Sequence, residues 1–338
     1  MFYNKPIFFE QNRVFRVYKG GKLMGKFLGK DFCDDFYPEE WVASAVRALN
    51  EKVADEHEGI SKILDSDLYF NEALEQYPTE MLGDKKNLSV LVKYLDSAIR
   101  LPVQAHPTKE FSKKHFNSPY GKEECWYILD TREGASVCFG FKDGVTQEDF
   151  KRAINDSETD KNAMEKLLKK YEVKKGDVVY IPAKTVHAIG YGCLILEVQE
   201  PTDFTIQPER WCGDYRLSDK EMYLNLDMDS AMECFDFGET KEPFVTPKIA
   251  SVGDGIKDEI LIGSEQTESF KLNRIILSGG EYRLSETAVY IIASGCGEIV
   301  GADGYKREVK QGDYFFLPAN AKENFTVKGQ NIEMLICR

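Results

Sequence analysis

Long apolar runs, histidine, positive charge and closely spaced cysteine are all scarce in these 338 residues. No apolar stretch approaches the roughly 18 residues that a membrane-spanning helix needs. The opening residues, MFYNKPIFFEQNR, lack the apolar core of a secretory leader, so the cytoplasm is the expected location. Lys and Arg number 44 against 57 Asp and Glu, a formal net charge of −13. That balance argues against nucleic acid or an anionic membrane as partner, because neutralising a phosphate backbone takes basic clusters. A small phosphorylated molecule is still admissible, since a few local cations suffice to bind it. The eight cysteines are scattered with no CxxC pair, which predicts reduced and mostly buried thiols rather than a disulfide framework. With only four histidines, His57, His106, His115 and His187, each can be weighed singly.

What is present is the composition of a globular protein, 42% hydrophobic and 30% charged, long enough for two or three packed units. The stretch 176–207, GDVVYIPAKTVHAIGYGCLILEVQEPTDFTIQ, organises the reading. Two apolar runs, 178–181 and 194–196, lie on either side of His187 and predict a hairpin wall of a small barrel. Residues 1–40 read as short strands. Pro38 and Glu39-Glu40 suit the first turn of a helix over 41–49. A further helix is expected over 69–77, ending near Pro78, and the apolar spacing of 87–101 predicts a buried-face helix or a helix-to-strand transition. Residues 102–107 form a short extended piece ending at Pro107. A strand over 122–129 is expected to pair with 137–141 across the turn at Gly134. Cap-like signals at Thr146 and Ser157 predict helices over 147–154 and 158–171. The fold class is therefore mainly β: two barrel units, the second a barrel or sandwich, with helical insertions. The first spans 1–215 with its insertion at about 146–172, a connector covers 216–248, and the second unit is 249–338.

An internal repeat supports two units. KKGDVVYIPA, ending at Ala183, recurs as KQGDYFFLPA, ending at Ala319, 136 residues on. At that offset His187 falls on Glu323. Matching the 126–129 run to 289–292 puts Thr287 where Glu124 stands. The second copy keeps the turn, the apolar strand and the proline but has neither the His nor the Glu, so it is expected to hold no metal.

Gln104, His106, Glu124 and His187 all sit on strand-like segments of the first unit. Gln104 and His106, two apart, share one strand face. Zinc accepts imidazole nitrogen and carboxylate oxygen, and a catalytic zinc keeps one position open. On spacing alone, His106 and His187 read equally well as packed strand residues and as ligands. His57 and His115 read as ordinary core or surface residues.

Three runs in order, LVKYLDSAIRLPVQAHP, GKEECWYIL and the 176–207 stretch, resemble the type I mannose-6-phosphate isomerases of the short bacterial form, members of the cupin superfamily. The resemblance implies one Zn2+ per chain, held by Gln104, His106, Glu124 and His187. It implies a phosphosugar substrate, with mannose 6-phosphate and fructose 6-phosphate interconverted through a cis-enediol. It places Lys122 near substrate and makes Glu197 the acid/base candidate. The family usually carries a catalytic Arg where this chain has Gln207, and Gln lacks both the charge and the donor fork. Arg210, three residues on, is the candidate to reach the same place. A Ser is common in the family where Pro102 stands here. Lys109, Lys113, Lys114, Lys184 and Arg210 are unranked candidates for phosphate contact. The alternative is a metallocupin that binds a phosphosugar with little or no turnover because of Gln207. An iron-dependent cupin oxygenase is a third reading, disfavoured by the amide ligand and the missing third His. Oligomeric state is left open.

Overall fold

A computed structural model describes residues 1–50, 53 and 55–338. Its main elements are three antiparallel sheets. A six-stranded sheet runs in the order Arg13–Val14, Glu39–Val42, Leu91–Asp96, Cys193–Gln199, Glu124–Thr131, Val178–Ile181. A three-stranded sheet, Leu168–Glu172, Ser136–Phe141 and His187–Ile189, shares a core with it. An eight-stranded sheet is built from the strands between Lys248 and Cys337. The architecture is mainly β, and its sheets fit two jelly-roll units with helical insertions.

Alternation along the strands decides which side chains meet. In the six-stranded sheet Leu95, Trp126, Ile128, Val179, Ile181 and Ile195 point toward the three-stranded sheet and pack with Val137, Phe139 and Ile189. Their neighbours Val92, Tyr94, Cys125, Tyr127, Leu196 and Val198 point the other way, against Val289, Ile291, Phe316 and Leu335 of the eight-stranded sheet. The central sheet is thus buried on both faces. Each large apolar side chain so enclosed contributes about 1.5–3 kcal/mol.

That double burial explains why two of the helix expectations fail. Residues 41–49 do not form a helix, because Glu39–Val42 is a strand paired with Leu91–Asp96. Residues 87–101 likewise contain the strand Leu91–Asp96, all six residues buried. A strand covered on both faces shows no polar alternation, so its apolar run is easily read as a helix. Over 158–171 there is a single 3-10 turn, Glu165–Leu167, and then the strand Leu168–Glu172. The helix Gln147–Asp156 does form behind a reciprocal Thr146–Asp149 capping box. The helix Phe70–Gln76 forms too, but Pro78 opens a second helix, Pro78–Leu82, instead of ending the helical run.

Pairings differ as well. Glu124–Thr131 and Ser136–Phe141 are consecutive but belong to different sheets. The organising stretch is no hairpin. Val178–Ile181 and Cys193–Gln199 lie on opposite sides of Glu124–Thr131, and His187 starts a strand of its own in the smaller sheet. The segment expected to be a connector carries two short helices, Asp219–Tyr223 and Met228–Met232, and buries Leu217, Met222, Met232 and Phe235 in the first core.

The repeat is visible in the ladders. Val178–Ile181 pairs with Glu124–Tyr127, and Tyr314–Leu317 pairs with Ala288–Ile291. Ile181 faces Glu124 and its counterpart Leu317 faces Ala288, so Ala288, not Thr287, occupies the Glu124 position. The sequence match had slipped by one residue, which in a strand exchanges the two faces. Glu323, at the His187 position, lies on the surface in a left-handed backbone conformation (φ 63°), paired with Arg283. The interior of this copy is filled by Tyr290, Ile292, Phe315, Leu317, Met334 and Ile336.

All eight cysteines are free, with only Cys33 and Cys296 exposed. Among the described residues no helix is long and apolar enough to cross a membrane.

Candidate metal and substrate site

His106, Glu124 and His187 converge from three segments, their donor atoms all within 4.8 Å of one another. His106 ends the extended piece before Pro107, and Gln104 bridges His187 backbone to backbone at 2.9 Å in both directions. His187 starts its strand, and Glu124 starts the strand opposite Gln199. All three are essentially sealed from solvent, at 0%, 1% and 0% exposure for His106, Glu124 and His187.

Their protons are turned away from one another. His106 Nδ1 donates to the Phe204 carbonyl at 3.1 Å, and His187 Nδ1 donates to the Thr185 carbonyl at 2.8 Å. A carbonyl can only accept, so each Nδ1 carries its proton and each Nε2 is turned toward Glu124. His187 Nε2 lies 3.4 Å from Glu124 Oε1, and His106 Nε2 lies 3.1 Å from Glu124 Oε2. His187 Nε2 and Glu124 Oε2 have no hydrogen-bond partner although buried. Burial and then the Lys122 ammonium push the His106 imidazolium down to about 3, so the ring is neutral at ordinary pH. Burial alone would raise the Glu124 carboxyl, but Lys122 and His106 hold it well below the carboxylate range. Lone pairs converging on each other are repulsive unless a cation lies between them. The donor set of two imidazole nitrogens and one carboxylate, buried and converging, therefore fits a metal ion.

Beside this cluster lies a cavity of about 500 Å³. Gln104 and Lys122 line it, and Lys122 also touches the cluster, 3.1 Å from His106 Nε2 and 3.3 Å from Glu124 Oε2. Lys93 and Glu197 form its back wall, and they belong to one cross-strand row, Trp41 beside Lys93, Lys93 beside Glu197, Glu197 beside Trp126. Lys93 Nζ is 3.1 Å from Glu197 Oε1 and sits over the Trp41 ring. The Trp126 indole N–H donates to both Glu124 Oε1 (3.1 Å) and Glu197 Oε2 (3.2 Å), tying the two carboxylates together. Burial, then the charge of Glu124, raises the Glu197 carboxyl above its ordinary value, while Lys93 and Lys122 oppose the rise. Further out, Arg16 bridges Glu39 (3.0 Å) and Asp203 (3.1 Å). Burial would raise Glu39, but Arg16 and Lys93 pull it down to about 2.

The cavity brings together Gln104, Lys122, Glu197 and Gln207 from the sequence-derived set. Gln207 donates through Nε2 to the Glu221 carbonyl at 3.0 Å. Arg210 does not share this wall. Its guanidinium is held by Glu158, Asp219 and the Leu217 carbonyl in a neighbouring cleft. Lys109 and Lys184 are also absent from the lining, and Lys109 is engaged by Ser269 and Glu200. Lys113 and Lys114 are exposed on the helix Lys109–Phe116, Lys114 paired with Glu233.

The cations that do line the cavity are Arg16, Arg47, Lys93, Lys122 and Lys220, against the carboxylates Glu39, Glu197, Asp203 and Glu221. The pocket therefore carries a small positive excess inside an acidic chain. Sequence reasoning missed Lys93, Arg16, Glu39 and Asp203. One signal was there: Lys93 is a lone cation inside the apolar run LVKYL, which is unfavourable unless it has a buried partner.

No family model matches the chain. It is 33% identical over 249 residues to GmuF of Bacillus subtilis (strain 168), named a probable mannose-6-phosphate isomerase, covering 73% of this chain and 74% of that protein. It is 28% identical over 325 residues, 94% of each chain, to the mannose-6-phosphate isomerase of Streptococcus mutans serotype c. The crystal structure of the mannose 6-phosphate isomerase from Bacillus subtilis superposes with a TM-score of 0.79 over 99% of both chains at 23% identity. A crystal structure of a mannose 6-phosphate isomerase bound with zinc and yttrium superposes at 0.71, with 15% identity over 98% of this chain and 99% of that one.

Proposed function

The chain belongs to the mannose-6-phosphate isomerase family and is an isomerase, and from that premise we propose a zinc-dependent aldose–ketose isomerase whose site is the cavity beside His106, Glu124 and His187. The observation that carries the reading is the convergence of those three buried donors next to a pocket with a positive excess. Gln104, His106, Glu124 and His187 would hold the ion. The similarly folded isomerase that binds zinc, together with the nitrogen and oxygen donor set, favours zinc over a harder metal. When bound, zinc supplies an electrophile for oxygen atoms that gain negative charge.

The chain's own residues account for the rest. Interconverting mannose 6-phosphate and fructose 6-phosphate moves one proton between C2 and C1 of the sugar through a cis-enediol. Glu197 is the group to carry it. Its carboxyl is buried, raised above the ordinary range and close to both the metal carboxylate and the pocket. A raised carboxyl is the better matched acid and base near neutral pH. Lys93 holds it in place and opposes that rise. The Lys122 ammonium adds positive charge where the enediol oxygens become anionic. The substrate phosphate meets the remaining cationic lining, Arg16, Arg47 and Lys220.

The test is a coupled assay of fructose 6-phosphate formed from mannose 6-phosphate, run before chelation, after it and after zinc return, with metal analysis of the same samples. Activity should vanish with the metal and come back with zinc. His187→Ala should lose zinc and turnover together, since it removes one of four ligands. Stoichiometric zinc in that variant, or no turnover by fully metallated wild type, would refute the assignment.

A further inference from the structure

The eight-stranded sheet carries no metal cluster among the described residues and its interior is filled, yet one of its loops reaches the segments that bear the site. Residues 263–271 connect the strands Ile256–Ile262 and Leu272–Leu277. The loop is braced internally: Gly263 N–H donates to Gln266 Oε1 (3.1 Å), Thr267 N–H to the Gly263 carbonyl (3.1 Å) and Ser269 N–H to Thr267 Oγ1 (2.9 Å). Phe270, 2% exposed, anchors its end in the core between the sheets.

From this base two hydroxyls grip Glu123. Thr267 Oγ1 donates to Glu123 Oε2 at 2.5 Å and Ser269 Oγ donates to the same oxygen at 2.9 Å. Tyr180 OH donates to the other oxygen, Oε1, at 3.1 Å. Ser269 Oγ also accepts from Lys109 Nζ at 2.9 Å. These two targets lie in the segments that bear the site. Glu123 stands between Lys122 and Glu124, and Lys109 follows His106 by three residues. Alternation explains how a surface contact can act on a buried site: Glu123 points toward the second sheet, so Lys122 and Glu124 on either side of it point inward. The backbone of Glu123 is fixed too, its N–H by Glu200 Oε2 (3.2 Å) and its carbonyl by Glu200 N–H (3.1 Å).

We infer that the loop 263–271 is a strap by which the metal-free unit positions Lys122 and Glu124, so that Glu123, Thr267 and Ser269 are positioning residues for the site of the other unit. The inference rests on the assignment of Lys122 and Glu124 to that site. It gives the second copy a task its filled interior cannot supply, namely fixing the register of one strand end through a carboxylate whose two oxygens accept three hydroxyl donors.

The experiment compares the full-length protein with Thr267→Ala/Ser269→Ala, using two readouts that do not depend on turnover. One is the dissociation constant for Zn2+ alone, from chelator competition. The other is amide hydrogen exchange across 121–125 in metal-free protein. The strap predicts about tenfold weaker zinc binding, the lower end of what supporting partners of ligands are worth, and faster exchange confined to 121–125. Thr267→Ser, which keeps its hydroxyl, should behave as wild type. A merely structural contact would lower the melting temperature but leave zinc affinity and the local exchange unchanged, and that result overturns the inference. If the double variant does not fold, Ser269→Ala alone decides on the same two readouts. Should wild type bind no zinc, the metal assignment fails, and the exchange arm still decides whether the loop orders 121–125.

Discussion

Lys93→Met tests the acid/base assignment most directly. Lys93 is 2% exposed, its ammonium 3.1 Å from Glu197 Oε1 and 4.0 Å from Asp203. Methionine is close in length and flexibility but carries no charge, so the perturbation is the loss of one buried cation. Leaving a buried charge unpaired would cost about 3–5 kcal/mol if the charge persisted. Glu197 has a less costly route, because burial and Glu124 already raise its carboxyl and it can simply keep its proton. The sign follows. Lys93 is the largest influence holding Glu197 down, so removing it raises the carboxyl further and lowers the ionised fraction at neutral pH. An opposite charge at this range is worth roughly a factor of ten to a thousand in acidity. With base strength partly compensating for lost ionisation, kcat at pH 7 should fall about 10–100-fold. The distinguishing sign is the shape of the profile. The acidic limb of kcat against pH should move to higher pH, and activity should recover partly as the pH is raised. Stopped assays from pH 5.5 to 9.5 with saturating mannose 6-phosphate would read this. A uniform drop with an unmoved limb would refute the reasoning, for then Glu197 is not the group whose ionisation limits the reaction.

Gln207→Arg would add a guanidinium to the cavity wall, where the amide now donates to the Glu221 carbonyl; kcat/KM for mannose 6-phosphate should rise about tenfold if a cation is wanted there, and an unchanged value means the missing charge does not limit the rate. Glu40→Gln addresses stability. Burial pushes the Glu40 carboxyl up to about 7 despite hydrogen bonds from Asn12 N–H and Tyr314 OH, and its Oε2 has no partner. With the folded value above the ordinary 4.5, the native state binds the extra proton, so stability is full at low pH and declines through the window from about 4.5 to 7, by about 3 kcal/mol in all. The melting temperature of wild type should therefore fall more between pH 5 and pH 8 than that of Glu40→Gln, and equal slopes would contradict this account.

The local backbone around the candidate site was legible in the sequence where backbone rules are strict. Pro107 marks the end of the extended piece bearing Gln104 and His106, the Gly176-Asp177 turn and Pro182 bracket a strand, and Thr146 with Asp149 starts a helix. The back wall was not legible. Lys93 and Glu197 become neighbours only when Leu91–Asp96 is a strand in register with Cys193–Gln199. The residues that should have signalled a strand, Val92 and Tyr94, are apolar because a second sheet covers them. Arg16 follows the two-residue strand Arg13–Val14 and Glu39 opens the short strand Glu39–Val42, and their place beside the cavity depends on the whole sheet order. Nothing local encodes that.

The two copies show how far apart scaffold and site can drift. The sequence match rested on apolar residues and read Thr287 for Glu124, but the ladders put Ala288 there, buried and facing Leu317. An alanine makes room in a way a threonine at the neighbouring position does not, and the space goes to the stacked pair Tyr290 and Phe315, 5.1 Å between ring centres. Tyr290 itself stands at the Trp126 position, its hydroxyl donating to the Glu286 carbonyl instead of bridging two carboxylates. Replacing Glu323 with histidine could not rebuild a site, since the carboxylate and its indole bracket are both gone and the interior is occupied. The same sheet framework therefore serves two ends: in one copy it encloses charge that must be paired, in the other it encloses rings and leaves its influence on the chemistry to a loop at its edge.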